Sequence, residues 1–288
     1  MTEADDVAAR TSELVSLPRA WHRISEMLDD DRYGAADMAS VVAADPGLTA
    51  RLLRLVNSPF YGLPRRVDTV SLAVSILGAR ALHNVVLTTS VASAFDRIDT
   101  RLVDVADFWH HSVYCGLMAR LLSQRLQRGD AEQAFTGGLL HDIGKLAIYQ
   151  IRPEAASEIL RRLADNEAEQ PLTFRDLELE ILGFDHATVG AALLRQWHLP
   201  TVYRDIVGYH HTPGEAPASD DEVCLVHAAN ALSKKVEPGH KLTTDEADLP
   251  VIDPAAAERI PLEPDMVAEL RMETDVRSIE VYGTLFGN

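Results

Sequence analysis

The chain has 288 residues, room for one large domain or two modest ones, and its 47% hydrophobic content can fill a substantial core and argues against long disorder. Against 27 lysines and arginines stand 44 acids, a formal charge of −17, which opposes non-specific adhesion to nucleic acid or anionic lipid but leaves room for a local basic site. Cys115 and Cys224 lie in apolar helical contexts and read as reduced packing residues; the acidic start lacks a signal pattern, and no apolar run of about 18 residues predicts a membrane span. These features predict a soluble, cytoplasmic protein.

Apolar residues recur at helical spacing almost throughout, without convincing alternation, so an all-α fold is predicted. The first helix follows Asp5 and Asp6, and the second runs from Pro18 through Trp21, Ile24, Met27 and Leu28. A third, over 35–44, stops at Asp45-Pro46-Gly47, where Asp45 is a good N-cap and Pro46 suits the first helical position. The helix this launches, 48–56, ends at Asn57-Ser58-Pro59. An aromatic-anchored turn follows at 60–64, expected to join two lobes. The pair 35–44 and 48–56 has the length of a helix-turn-helix, with Arg51, Arg54, Arg65 and Arg66 near it. A DNA reader needs polar residues early in its second helix, and this one offers Leu48, Leu52, Leu53 and Leu55. DNA is therefore not an expected partner; the arginines would serve neighbouring acids or a bound partner.

Further helices are predicted over 69–77 and 80–95, and the charge-rich stretch 96–101 is a candidate boundary. The expected division is an N-terminal lobe over 1–98, a second lobe over 99–239, and a helical tail over 240–288 packed on the second lobe. In the long helix 103–126, Phe108, His111, Cys115, Met118 and Leu122 form one inward stripe, with His110 on a neighbouring one. Next comes Gly137-Gly-Leu-Leu-His141-Asp142-Ile-Gly-Lys145-Leu146. His141 and Asp142 offer ligand types that zinc, manganese and iron accept, and among these leucines both would be costly unless satisfied. A bare His-Asp pair also fits an incidental helix start. Helices follow at about 153–164, 173–182, 186–197, 200–211 and 221–235. His186 shares a face with Gly190, Leu193 and Trp197, either as a ligand or as a hydrogen-bonded core histidine. His210 and His211 close a helix, where the dipole favours imidazolium, so capping is an alternative to ligation.

Four stretches resemble the HDOD domain of bacterial signalling proteins, a relative of the HD phosphohydrolases. They are Asp45-Pro-Gly-Leu-Thr-Ala-Arg-Leu-Leu-Arg-Leu-Val-Asn-Ser-Pro-Phe-Tyr-Gly62; Ala73-Val-Ser-Ile-Leu-Gly78; Phe108-Trp-His-His-Ser112 with Gly138 to Lys145; and Gly183-Phe-Asp-His-Ala-Thr-Val-Gly190 through Trp197-His-Leu-Pro200 to His210-His211. The likeness spans about 15–236. It implies an N-terminal helical lobe packed on an HD-type bundle and a role in signal output through a protein partner or a small, nucleotide-like ligand. The alternative it implies is a metal-dependent phosphohydrolase. The resemblance assigns His111, His141 and Asp142 to a first metal, with Asp142 bridging to a second held by His186, His210 and His211. His227 stands where metal-bound relatives carry Asp, and Lys145 is the expected phosphate contact. Such a histidine-rich set suits zinc, iron, cobalt or nickel, with manganese also a candidate, better than magnesium. Relatives that hydrolyse cyclic di-GMP carry a Gly-Tyr-Pro signature after the His-His pair; here Thr212-Pro-Gly-Glu-Ala-Pro217 follows instead.

Overall fold

The computed structural model describes residues 2–28, 30, 32–95, 102–165, 172–217, 221–236 and 249–286, and every regular element among them is helical. The chain divides into two compact units, a larger one of Met1–Leu14 and Ile98–Met272 and a smaller one of Val15–Arg97 and Glu273–Asn288. This differs from the expected division at both ends of the chain. Residues 1–14 group with the histidine-bearing unit, and the tail is shared between the two units. The predicted boundary stretch 96–101 and the start of the tail, 240–248, lie outside the described residues. Among the described residues no helix is long and apolar enough to cross a membrane.

α1 (Glu3–Leu14) belongs to the larger unit. In the smaller unit, α2 (Arg19–Leu28) buries Trp21, Ile24 and Met27, and α3 (Ala35–Ala43) buries Met38, Ala39 and Val42. α4 (Pro46–Val56) begins as its sequence dictates, with the Asp45 carboxylate accepting from the Leu48 N–H at 3.0 Å and Pro46 in the first turn. Its leucines Leu48, Leu52 and Leu55 are core. After α4, the Asn57 side chain donates to the carbonyls of Leu53 (2.7 Å) and Val67 (2.8 Å) and accepts from the Val67 N–H (2.7 Å). One amide thus closes the loop 57–67. That loop was expected to join two lobes; it instead leads from α4 to α5 (Val70–Leu77) inside one unit. Gly78, at φ 83°, turns the chain into α6 (Ala79–Phe95), which packs on α2 and α4.

The larger unit is built on α7 (Val105–Leu126), packed against α8 (Ala131–Leu140) and α14 (Asp221–Leu232). α7 and α8 cross where two glycines meet: a Cβ on Gly138 would stand 2.6 Å from the Gly116 Cα. Between α8 and α14 the chain forms α9 (Ile143–Ile151), α10 (Pro153–Ala164), α11 (Phe174–Leu182), α12 (His186–Gln196) and α13 (Thr201–Tyr209). α9 lies so close to α12 that a Cβ on Gly144 would strike the His186 carbonyl and stand 2.8 Å from the Gly190 nitrogen. α1 buries Ala4, Val7, Ala8 and Thr11 and packs on α12 and α9, which is why it leaves the N-terminal lobe. α15 (Pro254–Arg259) packs on α14. α16 (Pro264–Phe286) gives its residues to Met272 to the larger unit and the rest to the smaller, and it buries Val267 and Leu270 in one part and Val281 in the other.

Candidate metal centre

The larger unit brings the chemically distinctive side chains to one buried point. α7 supplies His111, 1% exposed, from the stripe predicted to face inward, while His110 of the neighbouring stripe is exposed. His141 and Asp142 are the two-residue link between α8 and α9, at 0% and 2% exposure. The glycine contacts of α8 and α9 let both helices approach closely enough to press this link into the core. α12 begins with His186, its first turn capped by Asp185, which accepts from the Thr188 N–H at 2.9 Å and pairs with Arg175 at 2.7 Å. His210 and His211 follow α13.

Hydrogen bonds set the direction of three of these rings. His141 Nδ1 donates to the Gly138 carbonyl at 2.7 Å, His210 Nδ1 donates to the Val207 carbonyl at 2.8 Å, and His186 Nδ1 lies 2.5 Å from Glu178 Oε2. Carbonyls cannot donate, so in His141 and His210 the proton sits on Nδ1 and Nε2 carries the inward lone pair when neutral. All three Nε2 atoms then face Asp142. Its Oδ2 lies 3.3 Å from His141 Nε2 and 3.6 Å from His111 Nε2; its Oδ1 lies 3.1 Å from His186 Nε2 and 3.8 Å from His210 Nε2. His211 Nε2 is 2.9 Å from His186 Nε2. Two donor clusters of metal-holding type result, His111 with His141 and Asp142, and His186 with His210 and His211, joined through one carboxylate.

Lone pairs facing a carboxylate in a dry interior require a cation between them, either a proton or a metal. Among the described residues, His210 Nε2 makes no hydrogen bond and stands 3.8 Å from Asp142 Oδ1. The donor set fits a divalent transition metal on chemistry as well: imidazole nitrogens with one carboxylate. Electrostatics points the same way. Burial opposes charge on Asp142, but His141 and Lys145 overcome it and hold the carboxyl well below its usual range. Burial also opposes charge on His141 and His186; Asp142 holds the first well above the ordinary value, and Glu178 with Asp142 lifts the second to about 9. His210 and His211 go the other way, pushed well down by burial and by their charged neighbours.

Two expected contributors sit differently. Lys145, expected to reach a phosphate, turns inward, its Nζ 2.7 Å from Asp142 Oδ2 and 5.0 Å from the centre of the Phe174 ring. His227, expected as a seventh ligand, is not brought into the cluster. Its Nδ1 donates to the His210 carbonyl at 2.7 Å and its Nε2 accepts from the Asp253 N–H at 3.0 Å, so both nitrogens are committed to bracing the backbone. Glu178 was missed. It is wholly buried and also accepts from the His186 backbone N–H at 3.0 Å. Its signal was legible in principle: an acid beside Leu177 and one turn after Phe174 on a core-facing helix side needs a buried partner.

A protein-family model, the HDOD domain, matches residues 14–213. An uncharacterized protein of Treponema pallidum (strain Nichols) is 26% identical over 217 residues; these are 74% of this chain, which spans only 40% of that protein's length. Among solved structures, a candidate phosphohydrolase from Shewanella amazonensis SB2B is 25% identical with a TM-score of 0.74, covering 97% of each chain. An HDOD domain protein from Geobacter sulfurreducens is similar in fold, at 23% identity and a TM-score of 0.74 over 98% of this chain and 97% of its own. With its all-helical architecture and the family match over most of its length, the chain belongs to the HDOD domain family.

Proposed function

We propose that this protein is a signal-output module that acts by binding a protein partner or a small ligand, with a divalent transition metal held at Asp142 as part of its core. The observation that carries this reading is the closure of the centre. Asp142 and its facing histidines His111, His141, His186 and His210 are at most 2% exposed, and the Lys145 ammonium is bonded to the carboxylate itself. A phosphate ester would need both that cation and an open metal face. His111, His141, Asp142, His186, His210 and His211 would hold the metal, with zinc, iron, cobalt, nickel or manganese as the candidates. When bound, the ion supplies positive charge against Asp142 and ties α7, the α8–α9 link, α12 and the end of α13 together. Metal content of protein purified without added metal, with melting before and after chelation, tests the reading. Absence of metal and an unchanged melting temperature on adding zinc, iron or manganese would remove its basis.

A second reading is a metal-dependent phosphohydrolase. It is favoured by two donor clusters set side by side, Asp142 of one lying 3.1 Å from His186 of the other, and by the likeness to the Shewanella candidate phosphohydrolase. Turnover of phosphomonoesters or cyclic dinucleotides at ordinary enzymatic rates, abolished by His141→Ala, would establish it over the first.

A further inference from the structure

In a chain of charge −17, three arginines surround one groove of the smaller unit. The groove holds about 810 Å³ and is formed by α4, the loop 57–68 and the last turns of α16. Leu53, Leu63 and Val67 contribute apolar lining, while Arg54, Arg65 and Arg66 contribute charge. Asp68 is the one acid of the lining; it pairs with Arg66 at 3.0 Å, both side chains largely exposed, and Arg65 forms no ion pair among the described residues. The local balance is therefore positive where the chain as a whole repels anions.

The walls are set before any ligand arrives. The Asn57 amide bonds both ends of the loop together, which lowers the ordering cost of binding. At Gly283 on α16 a Cβ would meet no atom within 4 Å, so the groove is open there. The volume falls in the range of small-ligand sites, roughly 300–1,000 Å³. Guanidinium forks match phosphate oxygens two at a time, and an apolar wall suits the face of a base.

We propose that this groove binds a small phosphate-bearing ligand of the nucleotide class, phosphates toward Arg54, Arg65 and Arg66 and base toward Leu53 and Leu63. The proposal builds on the reading of the protein as a binding module and gives that module a ligand site in a different unit from the histidine cluster.

The test is titration of the full chain with N-methylanthraniloyl ATP and GTP, with inorganic pyrophosphate as competitor. Two variants accompany it: Arg65→Glu with Arg66→Glu, which reverses the charge, and Gly283→Leu, which fills the open side on a helical position that tolerates a side chain. Saturable binding displaced by pyrophosphate and weakened about tenfold or more in both variants, with melting no lower than the parent's, is the expected result. No saturable binding at millimolar nucleotide, affinity in both variants equal to the parent's, or binding of poly-glutamate that nucleotide fails to displace would overturn it. His141→Ala separates this proposal from the metal reading. Affinity retained in that variant supports the groove even if the metal reading fails; affinity lost there moves the ligand to the histidine cluster and overturns the groove.

Discussion

Glu178 grips His186 twice, accepting from its backbone N–H at 3.0 Å and meeting its ring Nδ1 at 2.5 Å. The arrangement fixes which ring nitrogen faces Asp142 and raises the basicity of that nitrogen. Carboxylate–histidine pairs of this kind typically contribute 10–100-fold in metal affinity. Glu178→Ala is therefore expected to weaken zinc binding by about 10–100-fold, measured by competition with a chromogenic chelator. Affinity equal to the parent's would mean that Glu178 serves only to complete the core.

Asp142 is expected to matter more with metal than without. Asp142→Ala removes the carboxylate of one donor cluster, which also lies 3.1 Å from His186 and 3.8 Å from His210 of the other, so the melting temperature should fall further in metal-loaded protein than after chelation. Differential scanning calorimetry of the four samples decides it. Equal losses in both states would make Asp142 a partner of Lys145 and nothing more.

Two glycines should respond oppositely to alanine. At Gly144 a Cβ would run into the His186 backbone, and neither α9 nor α12 can yield without moving Asp142 or His186. Gly144→Ala is expected to cost about 3 kcal/mol and to loosen metal binding with it. At Gly283 the helix has open space, and alanine there should stabilise by up to about 1 kcal/mol. Urea midpoints of the two variants check both signs.

The Asp185 carboxyl is carried down to about 2 despite its burial, by its bonds to Arg175 and to Thr188. A carboxyl depressed in the fold contributes stability above its unfolded value, 3.8, and loses it as pH falls from there toward 2. Asp185→Asn should therefore be less stable than the parent near neutral pH, with the gap closing between those two values. Denaturant midpoints across that window give the answer; a gap independent of pH would assign the loss to the helix cap alone.

Asn57→Ala is expected to destabilise by about 2 kcal/mol, because it leaves the Val67 N–H and C=O without their side-chain partner. The same variant should also bind nucleotide more weakly, through a loosened loop rather than a lost contact. Chemical denaturation and titration of one preparation read both effects.

Helix positions, the Asp45-Pro46 start of α4 and the inward choice of His111 over His110 were all legible from the chain alone, since each depends on spacing and on side chains within one or two turns. The His141-Asp142 pair was legible as chemistry, because polar groups set among leucines demand partners. The three-dimensional arrangement decided the rest. Whether His227 faces the cluster depends on Asp253, twenty-six residues away, which claims its second nitrogen. Lys145 turned to Asp142 because that carboxylate lies one helical turn behind it in a pocket closed to water. Glu178 and His186 became a pair, and α1 joined the larger unit, through packing between helices that no local pattern encodes. Periodicity sets which face of a helix turns inward; the partner it meets there is set by close packing across the whole unit.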